Sequence, residues 1–140
     1  IRLSLVGSEM CIRDRRIIGV LDWELTTLGD PLMDLGNTLA YWIEADDPAP
    51  VQLMRRQPSN APGMLTRQAF VDYYAERAGI EIKCFDFYYI YGLFRLAGIV
   101  QQIYYRYYHG QTADKRFASF VQMNALLEKM ALGVVARSSL

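Results

Sequence analysis

From Phe85 to His109 the chain runs without a proline, and its apolar residues recur at helical spacing. Phe85, Tyr89, Leu93, Leu96, Val100, Tyr104 and Tyr107 form an almost continuous stripe, which predicts a long, largely buried helix stopped by Gly110. A helix this apolar needs other helices around it, so a helical bundle is the expected centre of the fold. The same stretch is not a membrane span, because Asp86, Arg95, Gln101, Gln102 and Arg106 interrupt it. The 140 residues suit one domain of ordinary size, and 52% hydrophobic content excludes disorder. With 15 basic and 15 acidic side chains the net charge is zero, which leaves no electrostatic footprint for nucleic acid or an anionic membrane. Two distant cysteines, Cys11 and Cys84, make neither a disulfide framework nor a metal knuckle. The composition is that of a cytoplasmic globular protein.

Other elements can be placed around that helix. Arg16 to Leu21 is short, apolar and β-branched, and predicts a strand ending at Asp22. A lone strand is not stable, so its partner is expected either outside this sequence or in the first fifteen residues. Asp30-Pro31 is a helix start, Asp as cap and Pro at the first helical position. Leu32, Leu35, Leu39, Trp42 and Ile43 carry that helix to about Glu44. Ala45 to Gly63 holds four of the five prolines and predicts a long loop with one short turn. Thr66 caps a second helix that Gly79 ends, and a fourth is expected from Asp114 to Ala131, with Gly133 beyond its end and a weak tail after it.

Ile1 to Arg15 differs from the remainder. It has neither the positively charged start nor the continuous apolar core of a secretory signal. The run SLVGSEMCIRDR resembles translated sequencing-adaptor sequence. Residues 1–15 are therefore expected to be non-native, with native sequence over 16–140; the bland alternative is an edge strand and a turn. With Cys11 set aside, Cys84 stands in an aromatic-rich stretch and is expected to act as a small hydrophobe.

Chemistry concentrates in Val20 to Leu39, VLDWELTTLGDPLMDLGNTL. Asp22 closes the apolar strand, Glu24 follows two residues on, and Asp30 and Asp34 lie just beyond. A carboxylate at a strand terminus is held rigidly yet reaches into a cleft, which suits a magnesium ligand. Asp22 and Glu24 can share one ion only if the strand bends after Asp22. The alternative is a turn residue followed by a solvated one.

The motifs Leu21-Asp22-Trp23-Glu24 and Gly29-Asp30-Pro31-Leu32-Met33-Asp34-Leu35 resemble the magnesium segment of the aminoglycoside phosphotransferase and choline-kinase-like superfamily. The resemblance is strongest to the phosphotransferase-family branch fused to acyl-CoA dehydrogenases. It continues through Ala61-Pro62-Gly63, Thr66-Arg67, Tyr73-Tyr74, Leu93-Phe94-Arg95-Leu96-Ala97, Ile103 to Tyr107 and Gly110-Gln111. It implies an α+β, predominantly α fold: the truncated C-terminal lobe of a protein-kinase-like domain, with one strand, a metal loop and about four helices. It further implies that Asp22 binds the magnesium bridging ATP phosphates, with Glu24 assisting. Asp34 matches the Asp that anchors the catalytic loop through backbone N–H groups, and Asp30 is explained as a helix cap. Trp23 replaces the aromatic of the DFG segment and is expected to pack.

The departure from the family lies in what is missing. Its H-G-D-x-x-x-x-N segment, on the order of 20 residues before the metal Asp, and its ATP-binding Lys have no match here. The single His, His109, sits at a helix end. The resemblance thus implies a fragment of an ATP- and Mg2+-dependent kinase that phosphorylates a small-molecule hydroxyl and is inactive without the N-terminal part of the same protein. The branch leans towards hydroxyacyl-CoA as acceptor. The rival expectation is a non-catalytic helical binding module. Arg67, Arg95 and Arg106 could recognise phosphate or carboxylate. The plainer expectation is that Arg67 is solvated, Arg95 pairs with a nearby carboxylate and Arg106 stacks between tyrosines. Tyr88, Tyr91, Tyr104 and Tyr105 could line a groove, or form core with hydroxyls at its margin.

Overall fold

The computed structural model describes residues 8–11, 16–20 and 28–139. Ser8–Cys11 (β1) and Arg16–Val20 (β2) pair antiparallel. Glu9 faces Gly19 but Met10 faces Ile17, so Ile18 is the extra residue of a bulge. The strand expected at Arg16 is present, and its partner lies within the first fifteen residues.

Among the described residues five α-helices follow, in a predominantly α arrangement as the sequence leads one to expect. In α1, Pro31–Ala40, the Asp30 carboxylate accepts from the Leu32 N–H at 2.9 Å and Pro31 supplies the fixed φ of the first turn. The helix closes at Tyr41, short of the expected Glu44. The reason is non-local: the Trp42 indole N–H donates to Leu65 O at 2.9 Å, and the buried Ser59 hydroxyl accepts from Ile43 N and donates to Ile43 O. Trp42 and Ile43 are buried all the same, on backbone that has left the helix.

The proline-rich connection contains one short helix, α2, Ala49–Gln52. The Gln52 side-chain amide ties it down, donating to Glu44 O at 2.6 Å and Asp47 O at 3.2 Å. Helix α3, Arg67–Ala78, starts on Thr66, whose hydroxyl accepts from Ala69 N, and stops at Gly79, where a φ of 64° needs glycine. The long helix α4 spans Asp86–Tyr108. The last helix does not open at Asp114 as expected. Asp114 caps a 3-10 turn, Lys115–Ser119, and α5 runs from Phe120 to Arg137. It passes through Gly133 because Val134 is buried, at 2% exposure, so packing holds a turn that composition alone would end.

Helix α4 lies between α1 and α5. One core cluster joins Ala40, Met54, Leu93, Leu96, Val100 and Leu127; a second joins Leu35, Leu39, Trp42 and Val71. Where α1 crosses α4, Gly36 meets the Tyr88 backbone, and a Cβ on Gly92 would overlap the Gly36 carbonyl. The two backbones touch directly. Helix α4 is less enclosed than its apolar content suggests: Gly92, Leu93, Leu96 and Val100 are buried, while Phe87, Phe94, Tyr105 and Tyr108 are exposed. Two neighbouring helices cover only part of its circumference.

Candidate functional site

Asp22, Trp23 and Glu24 lie outside the described residues. Downstream of them, Asp30 uses both carboxylate oxygens. Oδ1 caps α1, and Oδ2 accepts from the Tyr88 hydroxyl at 2.8 Å, which ties the segment after Asp22 to the first turn of α4. That bond pushes the Tyr88 phenol above its ordinary pKa, because ionisation would place a phenolate beside a carboxylate. Asp34 is half-buried in the first turn of α1, where its negative charge suits the helix N-terminus. Among the described residues no three His, Cys, Asp or Glu side chains come together as a metal site.

A cleft of about 550 Å³ lies between the proline-rich loop, α3, α4 and α5, with Leu39 of α1 in its lining. Leu39, Val51, Phe85, Met130 and Val134 give it an apolar floor, and Glu44, Asp47, Arg67, Asp86, Lys129 and Arg137 a charged rim. Arg67 is the hub. Its Nη1 and Nη2 bind Asp47 at 3.1 and 2.5 Å, its Nε donates to Trp42 O at 2.9 Å, and its Nη1 lies 3.7 Å from Glu44. The Arg67 backbone N–H also donates to Glu44, so that carboxylate serves as a further partner for the start of α3. The guanidinium stands 5.7 Å from the centre of the Tyr89 ring, a cation–π contact. Burial works to lower the Arg67 pKa, but Asp47 and Glu44 more than offset this and hold it above the ordinary range. Burial pushes the Tyr89 phenol up, and Arg67 opposes the rise only in part.

Arg67 therefore departs from the solvated role expected of it, with only 19% of its side chain exposed. Its partners, Glu44 and Asp47, lie 23 and 20 residues away, across the loop, and no local pattern announces them. Arg95 is half-buried and close enough to Tyr41 to favour the phenolate there, although burial dominates and raises that phenol's pKa. Arg106 stands exposed; the ring contacts near it pair Tyr104 with Tyr107 and Tyr108, and Tyr105 with His109 at 4.2 Å. Of the tyrosines of α4, Tyr89 packs against both core clusters, Tyr104 is half-buried and Tyr105 is exposed. Cys84 is half-buried, with a free thiol.

Residues 8–70 match the family model described as "Phosphotransferase enzyme family". The chain is 35% identical over 117 residues to acyl-CoA dehydrogenase family member 10 of Mus musculus, covering 82% of this chain and 11% of that protein. It is 33% identical over 116 residues to acyl-CoA dehydrogenase family member 11 of Homo sapiens, covering 79% of this chain and 14% of that one. Member 11 of Mus musculus is 32% identical over 121 residues, which is 81% of this chain and 14% of the relative. The chain spans 11 to 17% of the length of the curated relatives it matches. No solved structure matches it. Family match and relatives agree with the resemblance carried by Leu21 to Glu24 and Gly29 to Leu35: residues 8–70 are similar to the phosphotransferase enzyme family, and most of the chain is similar to one segment of these longer proteins.

Proposed function

We propose that this chain is part of an ATP- and magnesium-dependent phosphotransferase that moves the γ-phosphoryl group of ATP to a small-molecule hydroxyl. The observation that carries this is the family match over residues 8–70, an interval that holds Asp22, Glu24, Asp30 and Asp34. Asp22 is assigned to the metal, with Glu24 assisting, on the resemblance of Leu21-Asp22-Trp23-Glu24 to the family's magnesium segment. Asp30 caps the start of α1, the helix that follows Asp22 and Glu24 in the chain, and Asp34 lies in its first turn. Catalysis in such an enzyme rests on positioning and charge neutralisation, which demand a rigid frame. The direct backbone contact between α1 and α4 stiffens the helix that follows this segment in the chain.

The acceptor is assigned to the cleft around Arg67 and Tyr89, whose apolar floor suits a carbon chain and whose rim suits a polar end. Hydroxyacyl-CoA is the first acceptor class to test, because the relatives' names pair this sequence with acyl-CoA chemistry. The place of action is the cytoplasm; no helix among the described residues is long and apolar enough to cross a membrane.

The chain contains no H-G-D-x-x-x-x-N segment, so we expect no ATP turnover from these 140 residues alone. Joined to an N-terminal part that carries that segment, the protein should turn over ATP, and Asp22→Ala should lower kcat on the order of 100-fold or more. Turnover that survives Asp22→Ala overturns the metal assignment. If native upstream sequence proves to lack the segment, the non-catalytic binding module becomes the better account.

A further inference from the structure

The proposed chemistry leaves one face of α4 unused. Phe87, Tyr91, Phe94, Gly98, Gln102 and Tyr105 fall within an arc of about 80° on that helix, with Tyr108 at its margin. No charged residue lies inside the arc; Arg95 and Arg106 border it on one side. Phe94 is 74% exposed, Tyr108 71%, Tyr105 55% and Phe87 53%, a density of solvent-facing rings that a single soluble copy does not require. Several are held in place before any partner arrives: Phe87 packs edge-on against Tyr88 at 5.3 Å, and Tyr105 against His109 at 4.2 Å.

We propose that this face is the two-fold interface of a homodimer, in which α4 packs antiparallel against α4 of a second copy about an axis through Gly98. The pattern is self-complementary about that point. Tyr91 of one copy meets Tyr105 of the other, Phe94 meets Gln102, and Phe87 meets His109, as a two-fold contact requires. At the centre Gly98 has nothing within 4 Å, so two helix axes can approach there as closely as α1 and α4 do at Gly36 and Gly92. The exposed portions of the four rings offer on the order of 500 Å² per copy, so a symmetric pair buries about 1,000 Å², the size at which specific association begins. Zero net charge on the chain removes long-range repulsion between copies.

The test uses the 140-residue chain in sedimentation and light scattering across micromolar concentrations. Reversible dimerisation is expected, and Phe94→Arg should weaken it about 30-fold or more. A cross-link covers the case in which Phe94→Arg fails to fold. With Cys11→Ser and Cys84→Ser as background, Gly98→Cys should oxidise rapidly to a covalent dimer, since a disulfide needs Cα atoms within about 7 Å. Leu53→Cys, equally accessible but far from the axis, should not. The proposal is overturned by a chain that stays monomeric, which would leave the face to another part of a longer protein. It is overturned equally by a dimer in which Gly98→Cys links no faster than Leu53→Cys.

Discussion

Arg67 shows how much of a fold one side chain can hold. It joins the last turn before the proline-rich loop to the first turn after it, through a planar fork that matches the Asp47 carboxylate. Truncating it leaves Asp47 and Glu44 half-buried beside each other without a cation. Arg67→Ala should therefore destabilise the chain by about 2 kcal/mol in urea unfolding. Arg67→Lys should recover only part of this, because an ammonium is a point charge and cannot make the paired contact. An unchanged midpoint for Arg67→Ala would show the cluster to be ornamental. Tyr89, in contact with the same guanidinium, gives a pH signature. Its phenol is raised above the ordinary value of about 10, so the unfolded chain ionises first as pH rises. The stability this group contributes is whole below pH 10 and is lost as pH climbs from there towards the folded pKa. Tyr89→Phe should blunt the alkaline loss, measured as the fall in melting temperature above pH 10. Asp30 and Thr66 were legible in the sequence because a cap is a local matter of two or three residues. Arg67 was not, since what it binds is fixed only once the loop has closed.

Between elements, glycine makes the sharpest contrast. Gly36 and Gly133 both sit inside helices, where intrinsic propensity disfavours them equally. At Gly36 a methyl group meets the Tyr88 backbone, which cannot move without displacing α4, so Gly36→Ala should cost about 3 kcal/mol or prevent folding. At Gly133 the nearest obstacle is the tip of Arg137 at 4.0 Å, so Gly133→Ala should stabilise by about 0.5 to 1 kcal/mol. Thermal unfolding of both variants checks the pair, and the same sign for both would refute the crossing. Sequence spacing located α3 and α4 nearly to the residue, because their stops, Gly79 and Gly110, carry positive φ angles. It misplaced the ends of α1 and α5. Apolar residues at helical spacing look alike whether the backbone stays helical, as at Val134, or is drawn away by distant partners, as at Trp42 and Ile43. Composition could not tell that α4 keeps an aromatic face in solvent, since the stripe it shows is as apolar as a buried one.

At the level of the whole molecule, the family resemblance was more legible than the chemistry. The motif from Leu21 to Leu35 points to the phosphotransferases, and the comparisons agree. Its acidic pair, Asp22 and Glu24, lies outside the described residues; the helix that follows them is held to α4 by the Asp30–Tyr88 hydrogen bond and the glycine crossing. A charged cleft around Arg67 and an aromatic face on α4 add two surfaces that no motif declared.

The central place of α4 also orders events in time. Its contacts with α5 are shorter in the chain, as the Gln101 to Asn124 hydrogen bond across 23 residues illustrates, whereas its contacts with the start of α1 close a longer loop, 58 residues from Asp30 to Tyr88. Short closures form first, because loop entropy rises with length. The α4–α5 hairpin is therefore expected to form before α1 docks, an order that hydrogen exchange during refolding would read. The helix that follows the proposed metal ligands in the chain would then be fixed late in folding, by the glycine crossing with α4.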